Sequence, residues 1–571
     1  LGSSTVTVLL DRPGRARSFS YGWPTSLGAP RVGDEVIVDL RGRRVAGWVV
    51  ACDDGYEGTT KPVLRRRRPA PPAAVVATAL AAGRWYLASA APFLRRARSP
   101  RVQDALLGAD EPDLDQPEAP ATPELAWQPF GQSPAEEVAR LVEERDWSRV
   151  LVACPTERQA ARVRAALASR GHLVREVEHD WRQLARGDAG LVVGTRSVAL
   201  APLREVEGVL VVDAIDPLHR EEAFPHADTS TLAGIRAAAE GVPLVLVGAV
   251  PPLEACHPDA RPAKGPWPLV ELAARRGHTP GETALEQVLR QLPEGSSAAI
   301  VLARSGATEG LRCRDCRARP SCPRCHARLR VARWPGPQPT TLLARLRAGM
   351  MVLAMACESC GAQYPLACDR CGSTRLAPVG VSTVRAAALA EGILRRPVAV
   401  VEEKGPLPPA PYLVGGVGLL DRLTRVDVAI LEGLDDLFGV RDLLGAPRML
   451  YYLHRAALVA DRVVAVLGGE EPALAEALAA RDLSRFYESE LATRARLGLP
   501  PAIVMALIEG ALPVGARERL ARDCELVALS PERLLVTNPS ELALHRALEQ
   551  ALCGAEPTLR VELSPRSLGV L

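Results

Sequence analysis

The sequence predicts an α/β protein of several domains: two parallel-sheet lobes, a small β-domain and a helical module before them, and an α+β cap after them. Three observations carry that prediction. Continuous apolar runs alternate with helical stretches over two long spans, as strands of a sheet covered on both faces should. Eight of the 13 cysteines fall between residues 313 and 371, inside the second span. Residues 110–124 hold six acidic and no basic residues together with Pro112, Pro117, Pro120 and Pro123, which reads as a solvated boundary ahead of the first span.

In chain order, Val6 to Leu10, Glu35 to Leu40 and Val45 to Cys52 are short β-branched runs between Gly and Pro turns, so residues 1–56 read as a β-domain. Residues 61–108 form a helical module, with Ala/Leu-rich stretches around Trp85, Tyr86 and Phe93, and 109–126 are the acidic linker. The first lobe, 127–290, takes its strands from Val150 to Ala153, Gly190 to Val193, Val209 to Val212 and Leu244 to Val247. The second, 291–483, takes them from Ala298 to Leu302, Val398 to Val401, Val426 to Leu431 and Arg462 to Leu467, interrupted by a cysteine-rich insert at 311–378. Residues 484–571 open with a helix, Phe486 to Arg496, and form the cap.

Length and composition exclude several classes. A chain of 571 residues with 47% apolar and 24% charged residues is neither wholly disordered nor a membrane protein. No apolar stretch approaches the roughly 18 residues needed to span a bilayer. No membrane is expected as a partner. The start lacks a basic cap followed by an apolar core, so no export signal is expected and the cytoplasm is the expected compartment; residue 1 is Leu, which leaves the native start open. The net charge of +3 conceals a basic first segment, where residues 1–110 hold 17 basic against 9 acidic residues. The run Arg65, Arg66, Arg67, Arg68 and the cluster Arg95, Arg96, Arg98 and Arg101 fit a surface tracking phosphates; one such run alone fits a solvated basic linker as well, but two in one small segment favour nucleic acid.

The cysteines pair as Cys313/Cys316, Cys322/Cys325, Cys357/Cys360 and Cys368/Cys371. Two C-x-x-C turns supply the four thiolates of one tetrahedral Zn²⁺, so the four pairs predict two closed, structural zinc sites per chain. A disulfide framework would require export. The lysines exclude another motif. A phosphate-cradling loop needs Lys between its last Gly and a Ser or Thr, and none of Lys61, Lys264 and Lys404 stands in that setting.

The order of these parts, with several local motifs, resembles one family, the PriA replication-restart helicases. Leu10-Asp11-Arg12-Pro13, Phe19-Ser20-Tyr21 with Pro24, Gly33-Asp34-Glu35-Val36 and Gly47-Trp48-Val49-Val50 are similar to that family's 3′-end-binding domain. Gly194-Thr195-Arg196-Ser197, Val211-Val212-Asp213 and Gly248 to Glu254 resemble motifs of its first lobe, and Phe486-Tyr487-Glu488 with Leu497-Gly498-Leu499-Pro500-Pro501 resembles the start of its C-terminal domain. The resemblance implies two RecA-like helicase lobes with a zinc-binding insert, an N-terminal β DNA-binding domain, a winged-helix-like module and a C-terminal α+β domain. It implies DNA contacts from Phe19, Ser20, Tyr21, Gly33 and Arg65 to Arg68, and forked DNA, single-stranded 3′ ends and primosome or replisome-loading proteins as partners. It also implies a nested pairing of the cysteines, Cys313/Cys316 with Cys368/Cys371 and Cys322/Cys325 with Cys357/Cys360.

The departures from the family bear on activity. Where members carry a Walker A loop, the chain reads Phe130-Gly131-Gln132-Ser133-Pro134-Ala135-Glu136, without Lys. The Walker B counterpart is Asp213-Ala214-Ile215-Asp216, with Ala where Glu should orient the attacking water, and the arginine-finger region reads Tyr452-Leu453-His454-Arg455-Ala456-Ala457. Phosphoryl transfer rests on positioning and charge stabilisation, so the losses predict a degenerate nucleotide site at Gly131, Asp213 and Asp216, no catalytic residue, and no turnover of ATP. Asp213 and Asp216 read either as helix caps and arginine partners or as remnants of Mg²⁺ binding. Ser20 stands where the family carries Asp. The expected function is recognition of stalled or abandoned forks and replisome reloading without unwinding. Its alternatives are an active ATP-dependent 3′→5′ helicase and a zinc-ribbon protein binding RNA or the transcription machinery.

Overall fold

The computed structural model describes residues 5–11, 18–53, 55–56, 58–98, 116–256, 261–274, 283–303, 310–316, 318, 320–324, 329–333, 353–357, 362–379, 383–402, 405–434, 443–467, 472–553 and 559–565. The chain divides into two units: residues 1–266 with 481–565, and residues 267–480 with 566–571. No described helix is long and apolar enough to cross a membrane.

The first unit opens with an antiparallel sheet of β1 (Thr5–Leu10), β2 (Ser18–Gly22), β3 (Glu35–Leu40), β4 (Arg43–Cys52) and β5 (Arg65–Arg68), in the order β2-β1-β4-β3-β5. Alternate residues of its strands, Val6, Val8, Val36, Val38 and Val49, meet Tyr21 and Trp23 in a local core. That alternation is the period-2 pattern that made the strands legible. Helices Ala73–Trp85 and Ala91–Ala97 follow and carry Val75, Ala79, Trp85, Phe93 and Leu94 into a larger core.

The parallel sheet of this unit runs in the order Glu124–Trp127, Leu244–Gly248, Gly208–Val212, Val150–Ala153, Leu191–Gly194, Val174–Arg175. Its apolar runs are continuous because both faces are covered. Val150, Val152, Leu210 and Val212 enter one core, while Leu151, Ala153, Val209 and Val211 enter the other. The stretch expected to be linker through residue 126 instead ends in the edge strand Glu124–Trp127, bonded along Val245–Gly248. Ahead of that strand the backbone is tied down by Ala121 N donating to Gly234 O at 2.9 Å.

The C-terminal part of the unit is an antiparallel sheet in the order Glu525–Ser530, Arg533–Asn538, Val504–Glu509, Arg560–Leu563, backed by helices Ala516–Asp523 and Glu541–Ala551. Leu544, Leu548, Val536 and Val561 join the core that also holds Val75 and Val209. His545 stacks on Trp85 with ring centroids 3.7 Å apart.

The second unit holds a parallel sheet in the order Leu269–Ala274, Ala460–Leu467, Val426–Glu432, Ala298–Leu302, Tyr412–Gly416, Ala399–Val400. Strand Leu269–Ala274 is bonded along its length to Arg462–Leu467, so this unit begins at Trp267 and takes in residues ahead of the expected boundary at 290. Between Ala298–Leu302 and Tyr412–Gly416 lies an antiparallel sheet of its own, in the order Gln363–Pro365, Leu353–Cys357, Leu329–Arg333, Gly310–Cys313, Leu376–Val379.

Candidate nucleic-acid interface and metal centre

The residues expected to receive a DNA end are not all available to one. On β2, Phe19 is 43% exposed, Ser20 is half-buried, and Tyr21 lies in the core with its hydroxyl donating to Asp39 O at 3.2 Å. Phe19 and Tyr21 do share a face, opposite Val8 and Val6 of β1, but only Phe19 is at the open end of it. Gly33 has φ +95°, and a Cβ there would stand 2.6 Å from Val76 Cγ2. Its backbone N donates to Val49 O at 2.7 Å, so glycine lets this turn approach both β4 and the helix Ala73–Trp85.

The arginine run is largely neutralised from within. Arg66 Nε lies 3.1 Å from Asp34 Oδ2, and its guanidinium stands over the Trp23 ring at 5.2 Å. Arg67 and Arg98 reach Glu35 Oε1 at 2.9 and 3.4 Å, and Arg68 takes Oε2. Burial pushes the Asp34 carboxyl above its usual range, against the pull of Arg66 and of hydrogen bonds from Arg31 N and Ala70 N. Arg95 pairs with Asp11 and Arg96 with Glu221. Arg65 is exposed. The signal missed in the sequence was Asp34-Glu35, two carboxylates some thirty residues upstream that β3–β5 pairing brings alongside the run.

The loop Phe130 to Ser133, read above against the Walker A motif, bonds back on itself. Phe130 is buried, Gly131 has φ +81°, Gln132 N donates to Pro129 O at 3.3 Å, and Gln128 Nε2 donates to Gln132 O at 2.6 Å. Ser133 caps the helix Pro134–Glu144 by accepting from Ala135 N, and Glu136 and Glu137 occupy the first turn. Carboxylates there suit the positive end of a helix and repel a phosphate. A Cβ at Gly265 would stand 2.7 Å from both Pro129 Cβ and Gln132 Nε2, so the segment around residue 265 lies against this loop. Ala263 N donates to Trp127 O at 2.8 Å beside it.

Both acidic residues of the stretch Asp213-Ala214-Ile215-Asp216 are engaged. Asp213, buried with φ +49°, accepts from Gln159 Nε2 at 2.9 Å, and Asp216 caps a short 3-10 turn by accepting from Leu218 N at 2.8 Å. Arg196 reaches Arg220 O at 3.5 Å. Burial, with the Asp213 charge second, raises the Cys154 thiol. In the second unit Arg455 is buried against Asp421 and over the Tyr451 ring, and burial holds neighbouring His454 down at about 3. Gln159 and Asp421 carry no motif and were not legible as partners.

Cys313, Cys316, Cys368 and Cys371 bring their sulfurs within 4.8 Å of one another. The Cys313 and Cys371 sulfurs are 3.5 Å apart and those of Cys316 and Cys368 are 3.6 Å apart. A tetrahedron with Zn–S bonds of about 2.3 Å has edges of about 3.8 Å, so the quartet fits such an ion. The two knuckles meet because strands Gly310–Cys313 and Leu376–Val379 pair with Cys313 opposite Leu376. Backbone N–H groups of Cys316 and then Asp315 hold the Cys313 thiol at about 6, favouring thiolate. Asp315 accepts from Ser373 Oγ at 2.6 Å and Arg375 at 2.9 Å, and Asp369 accepts from Ser321 Oγ at 2.9 Å, so each knuckle is braced to residues beyond its own turn. Of the other four cysteines, Cys322 and Cys357 are buried in one small core with Leu329 and Met355, and the Cys322 sulfur is 3.2 Å from Tyr364 OH. Cys325 and Cys360 lie outside the described residues.

Residues 7–97 match the model of the PriA 3′ DNA-binding domain. Over longer spans the chain is similar to proteins named probable replication restart protein PriA. It is 30% identical to that of Deinococcus radiodurans over 400 residues, covering 63% of this chain and 41% of the relative. It is 28% identical to that of Mycobacterium leprae over 437 residues, covering 68% of this chain and 62% of the relative. The replication restart protein PriA of Bacillus subtilis is 26% identical over 229 residues, 36% of this chain and 26% of the relative. The chain thus spans less than two thirds of the length of each of these relatives.

Proposed function

We propose, from the premise that this chain resembles the PriA replication-restart proteins, that it binds stalled or abandoned replication forks and promotes replisome reloading without unwinding DNA itself. The observation that carries the reading is the match of residues 7–97 to a 3′ DNA-binding domain, on a sheet whose five strands and core are complete. In this reading the domain takes the free 3′ end near Phe19 and Ser20. Ser20 offers a hydroxyl in place of a carboxylate, so it donates or accepts one hydrogen bond and brings no charge.

The loss of the motor is supported by what its remnants do. In the loop at Gly131 the Gln132 amide bonds Pro129 O, Asp213 is held by Gln159, Asp216 caps its own turn, and Arg455 is paired with Asp421. These contacts turn the described residues at the motor positions towards holding the fold and away from positioning Mg²⁺, water or a γ-phosphate. Zinc is the ion proposed for Cys313, Cys316, Cys368 and Cys371, and a second zinc for Cys322, Cys325, Cys357 and Cys360. A closed four-thiolate site supplies a rigid cross-link and no open position for catalysis. Zinc-loaded modules of this kind would present the insert, whose residues 311–333 hold eight Arg and one Asp, to DNA or to primosome proteins in the cytoplasm.

The test is ATP hydrolysis and fork binding measured in the same preparation, using a fork with a leading-strand 3′ end. Saturable fork binding without DNA-stimulated turnover is the expected result. Turnover that Asp213→Ala abolishes would establish an active helicase, and preference for RNA over the fork would sink the restart reading.

A further inference from the structure

The N-terminal sheet sorts its arginines into two sets. Arg66, Arg67, Arg68, Arg95, Arg96 and Arg98 each face a carboxylate. Arg41, Arg43 and Arg44, at the tip of the β3–β4 hairpin, are exposed and have no carboxylate within ion-pairing distance among the described residues. The nearest candidate by register is Asp39, opposite Arg44, and its carboxylate is taken by Lys61 and by Gly42 N at 3.2 Å.

The tip is also well defined. Leu40 and Arg43 form the last cross-strand pair, and both residues of the turn have positive φ, +52° at Arg41 and +82° at Gly42. That is a two-residue hairpin turn matched to the twist of its strands. An arginine occupies the first turn position, where Asn, Asp or Gly is the usual residue. The pairing of β1 with β4 reaches only to Gly47, with one more bond from Asp11 N to Ala46 O, so Arg41 to Arg44 lie past the last bonded pair of that neighbour. Successive residues of a strand point to opposite faces, so Arg43 and Arg44 stand on the two sides of a ribbon two strands wide.

We propose that this hairpin tip is a grip on the sugar-phosphate backbone of a duplex arm, with Arg41, Arg43 and Arg44 contacting phosphates on the two walls of one groove. The inference rests on the fork-binding reading and adds to it a second contact, away from the 3′-end residues on β2. Duplex DNA is the occupant the geometry favours. Guanidiniums diverging from both faces of a ribbon cannot all follow one single strand, whereas a major groove about 12 Å wide admits a two-stranded ribbon between two phosphate rows. Contacts of this kind bring affinity and orientation and read no sequence.

The experiment measures the salt dependence of binding by the full chain to a fork with a duplex arm, and separately to single-stranded DNA. Each phosphate contact on duplex DNA contributes about 0.9 to the slope of log K against log salt. The triple variant Arg41→Ala, Arg43→Ala, Arg44→Ala should lower that slope by about 2 to 3 on the fork and leave the preference for a free over a blocked 3′ end unchanged. The triple Arg→Lys variant, which keeps the charges and the hairpin, should retain the slope. A wild-type chain that binds the fork with a slope the alanine variant does not change overturns this inference alone. An equal loss of slope on single-stranded DNA overturns the duplex assignment. A wild-type chain that binds no DNA sinks the fork-binding reading and this inference with it.

Discussion

Glu35 is 1% exposed and neutralises guanidiniums from three directions, Arg67, Arg68 and Arg98. Arg68 is itself buried, so removing the carboxylate strands a charge away from water. Glu35→Ala should destabilise the first unit by about 3 kcal/mol or more, seen as a fall in its denaturant midpoint. Arg65→Ala, on an exposed side chain, should leave that midpoint within about 0.5 kcal/mol. This is also where sequence reasoning reached its limit. Four consecutive arginines are alike in sequence, and what separates them is a carboxylate pair that only strand register delivers. The hairpin arginines carry a readable signal, Arg41-Gly42-Arg43-Arg44 between two β-branched runs.

Elements that bury their apolar residues continuously were legible. The four central strands of the first parallel sheet announced themselves because both faces are covered, and so did three of the second. Its fourth central strand, Tyr412–Gly416, was missed, the reading at Val398 to Val401 falling on the edge strand Ala399–Val400, and Glu124–Trp127 and Leu269–Ala274, also at sheet edges, carry too little pattern to stand out. The cysteine spacing named the knuckles, and the antiparallel pairing that sets Cys313 and Cys316 beside Cys368 and Cys371 came from the resemblance and not from spacing. Cys316→Ser should lower the bound metal by one ion per chain, read by elemental analysis, while Cys52→Ser, outside the array, should leave it unchanged. The helix Glu541–Ala551 carries a second test. Burial holds His545 at about 4 against an ordinary 6.5, so the folded state resists a proton that the unfolded chain accepts. Its contribution is whole above pH 6.5 and is lost as pH falls towards 4, a span worth about 3 kcal/mol. His545→Phe keeps a ring against Trp85 and should flatten the fall in stability of the first unit across that window.

Across the molecule, two units each carry a parallel sheet and a core. Calorimetry should resolve two unfolding transitions, and chelation should shift the one belonging to residues 267–480, which hold the cysteine array. The fold class was legible at this scale because the alternation of strands and helices repeats twice. The interleaving was not: nothing in the pattern near residue 481 says that the chain there rejoins its first two hundred and sixty-six residues.

That interleaving bears on how the protein is made. Trp85 leaves the ribosome several hundred residues before the helix that covers it with His545. At about 5 to 20 residues per second, the nascent first unit waits tens of seconds for the rest of its core. Residues 267–480 emerge whole in the meantime and can fold in place. A message truncated shortly before codon 541 would therefore yield a chain with its cysteine module formed and the Trp85 surface bare, a natural substrate for chaperones and for the proteases that clear unfinished proteins.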